Sequence, residues 1–156
     1  MSDFTPAEVL RRAQPVPTYR DHPSTTPHDV VGVDPFGAPR TIAIVGVTEP
    51  VLLLFLAAAC LGCADLWSGL DQLRAGLSVR VRLAVVTNGP ETENPLRIAA
   101  LSTSGTETVM STQAYADYRV AGPPFLVVTD AQEVRTEGVA WGIGEILRAT
   151  RVALAG

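Results

Sequence analysis

The chain has 156 residues, 47% of them apolar and 18% charged. That balance suits one globular domain with a sizeable core and excludes a disordered chain. The formal net charge is −4, and no basic stripe with interleaved aromatics runs through the sequence, so nucleic acid is not an expected partner. Two cysteines are too few for a small secreted disulfide scaffold but enough for one reversible bridge.

The opening, Met1-Ser2-Asp3-Phe4, is acidic and is followed by no apolar stretch. It does not read as an export signal, which makes the cytoplasm the default location. Residues 2–14 carry a helix start signal: Thr5 as N-cap, Pro6 as first helical residue, Glu8 closing a capping box, and Phe4 with Val9 as a hydrophobic staple. Pro15 ends that helix. Residues 15–39 then hold Pro15, Pro17, Pro23, Pro27, Pro35 and Pro39, an extended segment. Residues 1–29 are therefore taken as a helix and a Pro-rich arm, and residues 30–156 as the domain. His22 and His28 read as solvated loop side chains. Their spacing to the two cysteines matches no common zinc pattern, so no metal is expected.

From Val30 onward strands and helices alternate. Val30–Val33 and Thr41–Val45 flank the turn Asp34-Pro35-Phe36-Gly37 as a hairpin. Val51–Ala59 is an unbroken apolar run, suited to a strand buried on both faces. Glu49-Pro50 precedes it, and the apolar stretch Val51–Ala64 is 14 residues, short of the ~20 that a membrane span requires. Ala64–Leu77 reads as a helix through Leu66, Leu70, Leu73 and Leu77, with Trp67 in the core and Gly76 weakening its end. Val79–Thr87 is the next strand, stopped by Asn88-Gly89-Pro90. Asn94-Pro95 caps a helix through Ala100, Thr108–Met110 is a short strand, and Ser111 caps a short helix reaching Tyr115 or Asp117. Phe125–Thr129 and Val134–Val139 form a hairpin, and Ile143, Ile146, Leu147, Thr150 and Leu154 mark a final helix. The fold class is α/β, a mixed central sheet with helices on both faces.

Both cysteines lie in Cys60-Leu61-Gly62-Cys63, at the junction of the apolar strand and its helix. A thiol on the first turn of a helix meets unpaired N–H groups that favour the thiolate. A second thiol three residues on can close a disulfide with it. This points to a dithiol redox centre with Cys60 as nucleophile and Cys63 as resolving thiol. A pair of inert core cysteines is the bland alternative.

The element order, the C-x-x-C after the central strand, and Val120-Ala121-Gly122-Pro123-Pro124 before the hairpin resemble the thioredoxin superfamily. The extra hairpin around Asp34 and Gly37 looks like its TlpA-like, thiol:disulfide interchange branch. The resemblance covers about residues 30–156. It implies a thioredoxin-like fold and a cis proline facing the thiols, which maps onto Pro124, although Pro123 could carry the cis bond instead. Ala59, Leu61, Gly62, Pro123 and Pro124 would line the substrate site. Tyr115 and Tyr118 either line it or pack, and Trp141 packs under the final helix.

Three departures alter the expected chemistry. Ala59 stands where the superfamily usually has an aromatic, which widens the mouth of the site. Leu61-Gly62 between the thiols adds no charge, so neither a strong reductant nor a strong oxidant is expected. Leu54 occupies the place of a buried carboxylate proposed to deprotonate the resolving thiol, and Asp65 should point away from the sheet. Release of substrate from its mixed disulfide is then expected to be slow. Pro123 also lacks the N–H through which substrates usually pair with the residue before the cis proline, a loss of about 0.5–1.5 kcal/mol.

The leading expectation is a thiol–disulfide oxidoreductase acting on protein or small thiol substrates. It would exchange electrons with a donor or acceptor protein and need no metal or organic cofactor. A non-catalytic thioredoxin-like binding or assembly module is the main rival. A thiol peroxidase is a lesser one, because the threonine and arginine arrangement of peroxiredoxins is not evident around Cys60. TlpA-like relatives usually work outside the membrane, so an extracytoplasmic domain is the alternative location.

Overall fold

A computed structural model describes residues 26–102, 105–130 and 133–155. The expected helix over 2–14, most of the arm and His22 lie outside the described residues. Seven strands form one sheet in the order β2-β1-β5-β4-β3-β6-β7. They are β1 (Val30–Val33), β2 (Pro39–Ile42), β3 (Val51–Phe55), β4 (Arg82–Thr87), β5 (Glu107–Met110), β6 (Phe125–Asp130) and β7 (Glu133–Val139). The helices are α1 (Ala64–Ser68), α2 (Leu70–Gly76), α3 (Pro95–Leu101), α4 (Thr112–Asp117) and α5 (Ile143–Leu154), with a 3-10 turn at Leu61–Cys63 ahead of α1.

Strand β3 runs parallel to β4 and antiparallel to β6. All five of its residues are buried, as a continuous Val-Leu-Leu-Leu-Phe run demands. Alternation along the strand divides the core. Leu52 and Leu54 pack with Leu66, Trp67, Leu70, Leu73, Ile98 and Ile146 from α1, α2, α3 and α5. Val51, Leu53 and Phe55 face the opposite way, toward Ala114 and Tyr115 of α4 and Val30 and Ile42 of the hairpin. On that side the Phe55 ring lies 5.0 Å from the Tyr115 ring, perpendicular to it.

Two caps form as the sequence indicates. The Asn94 side chain accepts from the Leu96 N–H at 2.9 Å, and the Ser111 hydroxyl accepts from the Ala114 N–H at 3.2 Å. Several boundaries differ. The expected strand over 51–59 ends at Phe55, where both neighbours stop pairing. The expected helix over 64–77 breaks at Gly69 (φ −97°, ψ 7°). A Cβ there would lie 2.9 Å from Ile143 Cγ1, so the start of α5 is seated against the break. Strand β4 begins at Arg82 rather than Val79, because Ser78–Val81 forms a turn in which the Val81 N–H donates to Ser78 O. In the hairpin, the second strand is Pro39–Ile42 rather than Thr41–Val45. The Asp29 carboxylate accepts from the N–H groups of Ile44 (2.7 Å) and Val45 (2.9 Å) and bends the chain out of the sheet. Those two bonds hold the Asp29 carboxyl below its ordinary pKa. Among the described residues no helix is long and apolar enough to cross a membrane.

The hairpin joins the rest of the sheet through a narrow approach. Val33 pairs with Met110, and a Cβ on Gly32 would lie 2.2 Å from the Met110 carbonyl oxygen. Backbone cannot yield as a side chain does, so Gly32→Ala should destabilise the protein by about 1–3 kcal/mol, the usual range for overpacking. Urea unfolding against the parent checks this; an unchanged midpoint would show that the hairpin does not depend on that approach.

Candidate functional site

The end of β3 carries the chain to the surface over Leu56–Cys60. Cys60 then opens the 3-10 turn as its N-cap, with extended backbone (φ −99°, ψ 125°) and no side-chain cap. The turn closes through Cys63 N–H to Cys60 O at 3.1 Å. Cys60 and Cys63 are disulfide-bonded, their Cα atoms 5.1 Å apart. Cys63 is 0% exposed and packs with Leu52, Leu54 and Leu66, whereas Cys60 is only partly buried. The first thiol therefore does not sit on the first turn of a long helix. It precedes a 3-10 turn and a five-residue α1, so any thiolate there would rest on local N–H groups more than on a macrodipole.

Pro123 and Pro124 come to the same place. The peptide bond between them is cis, which makes Pro124 the cis proline. The Pro123 carbonyl oxygen lies 3.6 Å from Cys60 Sγ. Gly62 faces the Pro124 ring so closely that a Cβ on it would stand 3.3 Å from both Cγ and Cδ. The Pro124 carbonyl is taken up by the Ala140 N–H at 3.2 Å. Ala59, Leu61 and Gly62 are exposed, Leu61 at 98%. Leu54 is fully buried, so its position offers no carboxylate to Cys63.

Three side chains from three elements fasten the segment that presents Cys60. The Tyr115 hydroxyl donates to Leu56 O at 3.0 Å, the Trp67 indole N–H donates to Ala57 O at 3.0 Å, and the Glu93 carboxylate accepts from the Ala58 N–H at 2.9 Å. Burial raises the Tyr115 pKa, and the nearby Glu93 charge raises it further, so the phenol stays protonated and remains a donor. Trp67 is core, as expected, but it also holds this segment. Tyr118 packs against His28 and Phe55, with its hydroxyl donating to the His28 carbonyl. Trp141 is half-buried, and its indole N–H has no hydrogen-bond partner among the described residues. Glu93 has no counterpart in the sequence reading. The available signal was its place just after the turn that ends β4, on the same sheet edge as the end of parallel β3.

Among the described residues no cluster of three or more His, Cys, Asp or Glu side chains is placed to hold a metal ion. A cleft of about 420 Å³, lined by Leu77, Val81, Leu147 and Leu154, includes Pro50 at the start of β3 and Asp130 at the end of β6. It thus lies at the opposite end of the sheet from the sulfurs.

No family model matches the chain, and no curated protein matches it. Solved structures do. A secreted Mycobacterium tuberculosis disulfide oxidoreductase homologous to E. coli DsbE aligns with a TM-score of 0.64 and 17% identity, over 78% of this chain and 94% of that one. A Chlorobium tepidum protein described as a thiol:disulfide interchange protein DsbE aligns with a TM-score of 0.68 and 18% identity, over 86% and 99%. The fold is that of thioredoxin. Peroxidoxin BcpB of M. tuberculosis shares it as well, with a TM-score of 0.63 and 19% identity, over 83% and 94%. The thioredoxin fold thus carries more than one thiol chemistry, and the site must decide between them.

The contact between Gly62 and Pro124 is open to test. Gly62→Val should press the turn against the proline ring and lower the stability of the oxidised protein by about 1–3 kcal/mol. Leu61→Ala, at an exposed position, should stay within about 0.5 kcal/mol of the parent. Chemical unfolding of the two variants checks the contrast, and equal effects would mean that the turn does not bear on Pro124.

Proposed function

We propose that this protein is a thiol–disulfide oxidoreductase, with Cys60 and Cys63 as its reacting groups and Ala59, Leu61, Gly62, Pro123 and Pro124 as the surface a substrate meets. One observation carries the reading: the Cys60–Cys63 disulfide joins a partly buried Cys60 at the opening of a surface turn to a fully buried Cys63. An inert structural bridge would not require that asymmetry, whereas stepwise exchange does.

In the reducing direction, the Cys60 thiolate attacks one sulfur of a substrate disulfide. A Cys60–substrate bond forms and the substrate's other sulfur leaves as a thiolate. Cys63, once deprotonated, attacks Cys60 Sγ, re-forms the Cys60–Cys63 bond and releases the second substrate thiolate. Two electrons pass to the substrate, and a dithiol donor must then reduce the pair again. Run in reverse, the same steps oxidise a dithiol. No metal or organic cofactor enters either direction.

Pro123 offers a substrate no N–H, and its carbonyl already faces Cys60 Sγ. Backbone pairing beside the cis proline is therefore poor, and side-chain contacts at the open mouth left by Ala59 would carry more of the recognition. Protein substrates and a protein electron partner fit this reading. The M. tuberculosis structure is described as secreted, which supports an extracytoplasmic site of action. Residues 30–156 would form the redox domain and residues 1–29 its tether.

Catalysed reduction of insulin by dithiothreitol tests the function. The parent should accelerate it and Cys60→Ser should abolish the acceleration. Cys63→Ser should accumulate a mixed disulfide through Cys60. Hydrogen peroxide consumption should stay at background. Turnover that survives Cys60→Ser would remove the proposal, and rapid peroxide consumption would replace it with the peroxidase reading.

A further inference from the structure

We infer that Glu93 is a positioning residue for Cys60, holding the presenting segment in place when the disulfide is open. The inference rests on the redox reading of the same site. In the oxidised protein the covalent bond to Cys63 ties Cys60 down. Once that bond is reduced, the backbone between Phe55 and the 3-10 turn has no sheet partner beyond the Leu56 N–H, which donates to Val86 O at 3.0 Å. What remains is the three-point clamp on Leu56, Ala57 and Ala58. Glu93 holds its last point, the one nearest to Cys60 in the chain, and supplies its only carboxyl group.

Glu93 is itself well placed to bear load. The N–H groups of Thr92 and Glu93 both donate to Gly89 O at 2.9 Å, and the Gly89 N–H donates to the Thr112 hydroxyl at 2.9 Å. Thr112 in turn bonds the Glu91 carboxylate. The loop carrying Glu93 is thereby fixed to the start of α4, which also supplies Tyr115. Glu93 forms no ion pair among the described residues, so its carboxylate is left for Ala58.

A held Cys60 faces Cys63 at high effective concentration. A loosened one must be ordered before the bond can close, so disulfide formation becomes less favourable and attack by Cys63 on a mixed disulfide slower. The acceptor oxygen, rather than the charge, is the property that matters here. Gln retains that oxygen and Ala does not.

The experiment measures the equilibrium between the dithiol pair and glutathione in the parent, Glu93→Ala and Glu93→Gln, along with thermal unfolding of each in both redox states. Glu93→Ala should reduce the constant for Cys60–Cys63 bond formation about three- to tenfold, the scale of losing one ordinary hydrogen bond. Glu93→Gln should restore it to within about twofold. Equal shifts in Ala and Gln would assign the effect to charge and overturn the inference. So would an unchanged constant, including one accompanied by an equal loss of stability in both redox states. If the parent itself equilibrates with glutathione yet never turns over a protein disulfide, the proposed function fails while the role of Glu93 is still decided by the three constants.

Discussion

A strand that leaves a sheet gives up its ladder hydrogen bonds, and the whole site depends on how this chain replaces them. Pairing on both sides of β3 stops at Phe55, while the segment that follows is still half-buried. A buried carbonyl or N–H without a partner costs about 1–3 kcal/mol, so an unsupported exit would be expensive and loose. Tyr115, Trp67 and Glu93 take up Leu56 O, Ala57 O and Ala58 N–H in turn. These three side chains come from α4, α1 and the loop after β4, which places both faces of the sheet and its neighbouring strand under one short stretch of backbone. The position of Cys60 is therefore a property of the assembled fold rather than of the C-x-x-C turn alone.

Local signals were well expressed in the sequence. The continuous apolar run of β3, the Asn94-Pro95 and Ser111 caps, the Asp34–Gly37 turn and the final helix all rest on short-range chemistry, and each forms where that chemistry places it. The start of β4 moved for a local reason, the Ser78–Val81 turn, whereas other shifted boundaries lie where distant residues pack. The helix after the cysteines breaks at Gly69, where Ile143 packs so close that a Cβ would not fit, and no periodicity in 64–77 announces a side chain from the other end of the domain. The second hairpin strand is cut short by Asp29, a residue outside the hairpin. At the site the pattern is the same. The cysteines and the proline pair are legible as motifs, but Glu93 is separated from Ala58 by 35 residues and belongs to no motif with it.

The residues that depart from the pattern this sequence resembles converge on one side of the site. Ala59 supplies no shield and Leu61 projects into solvent. Pro123 has no donor, and its carbonyl is turned to sulfur. On the proposed function, a peptide arriving here would meet an apolar, open surface with few backbone groups to pair with. Beneath that surface the site is tightly built, with Gly62 admitting the Pro124 ring and Cys63 buried among leucines. The arrangement restricts how the two sulfurs move while leaving what approaches them loosely specified.

The burial of Cys63 also bears on which thiol chemistry the shared fold performs. Peroxide reduction needs one exposed thiolate and a means of polarising the peroxide. Disulfide exchange needs a second thiol that bulk reagents cannot reach but that its neighbour can. Cys63 meets the second requirement: it is closed to solvent, one turn from Cys60 and already bonded to it. Its surroundings are apolar, and Leu54 offers no carboxylate beside it. In the proposed exchange, a resolving step without a carboxylate to assist it would be slow, and the longer a mixed disulfide persisted, the more it would matter that Cys60 is held still. On the proposed function, the clamp on Leu56–Ala58 and the leucine at position 54 would be two sides of one design: little assistance to Cys63, and a target whose geometry is correspondingly well kept.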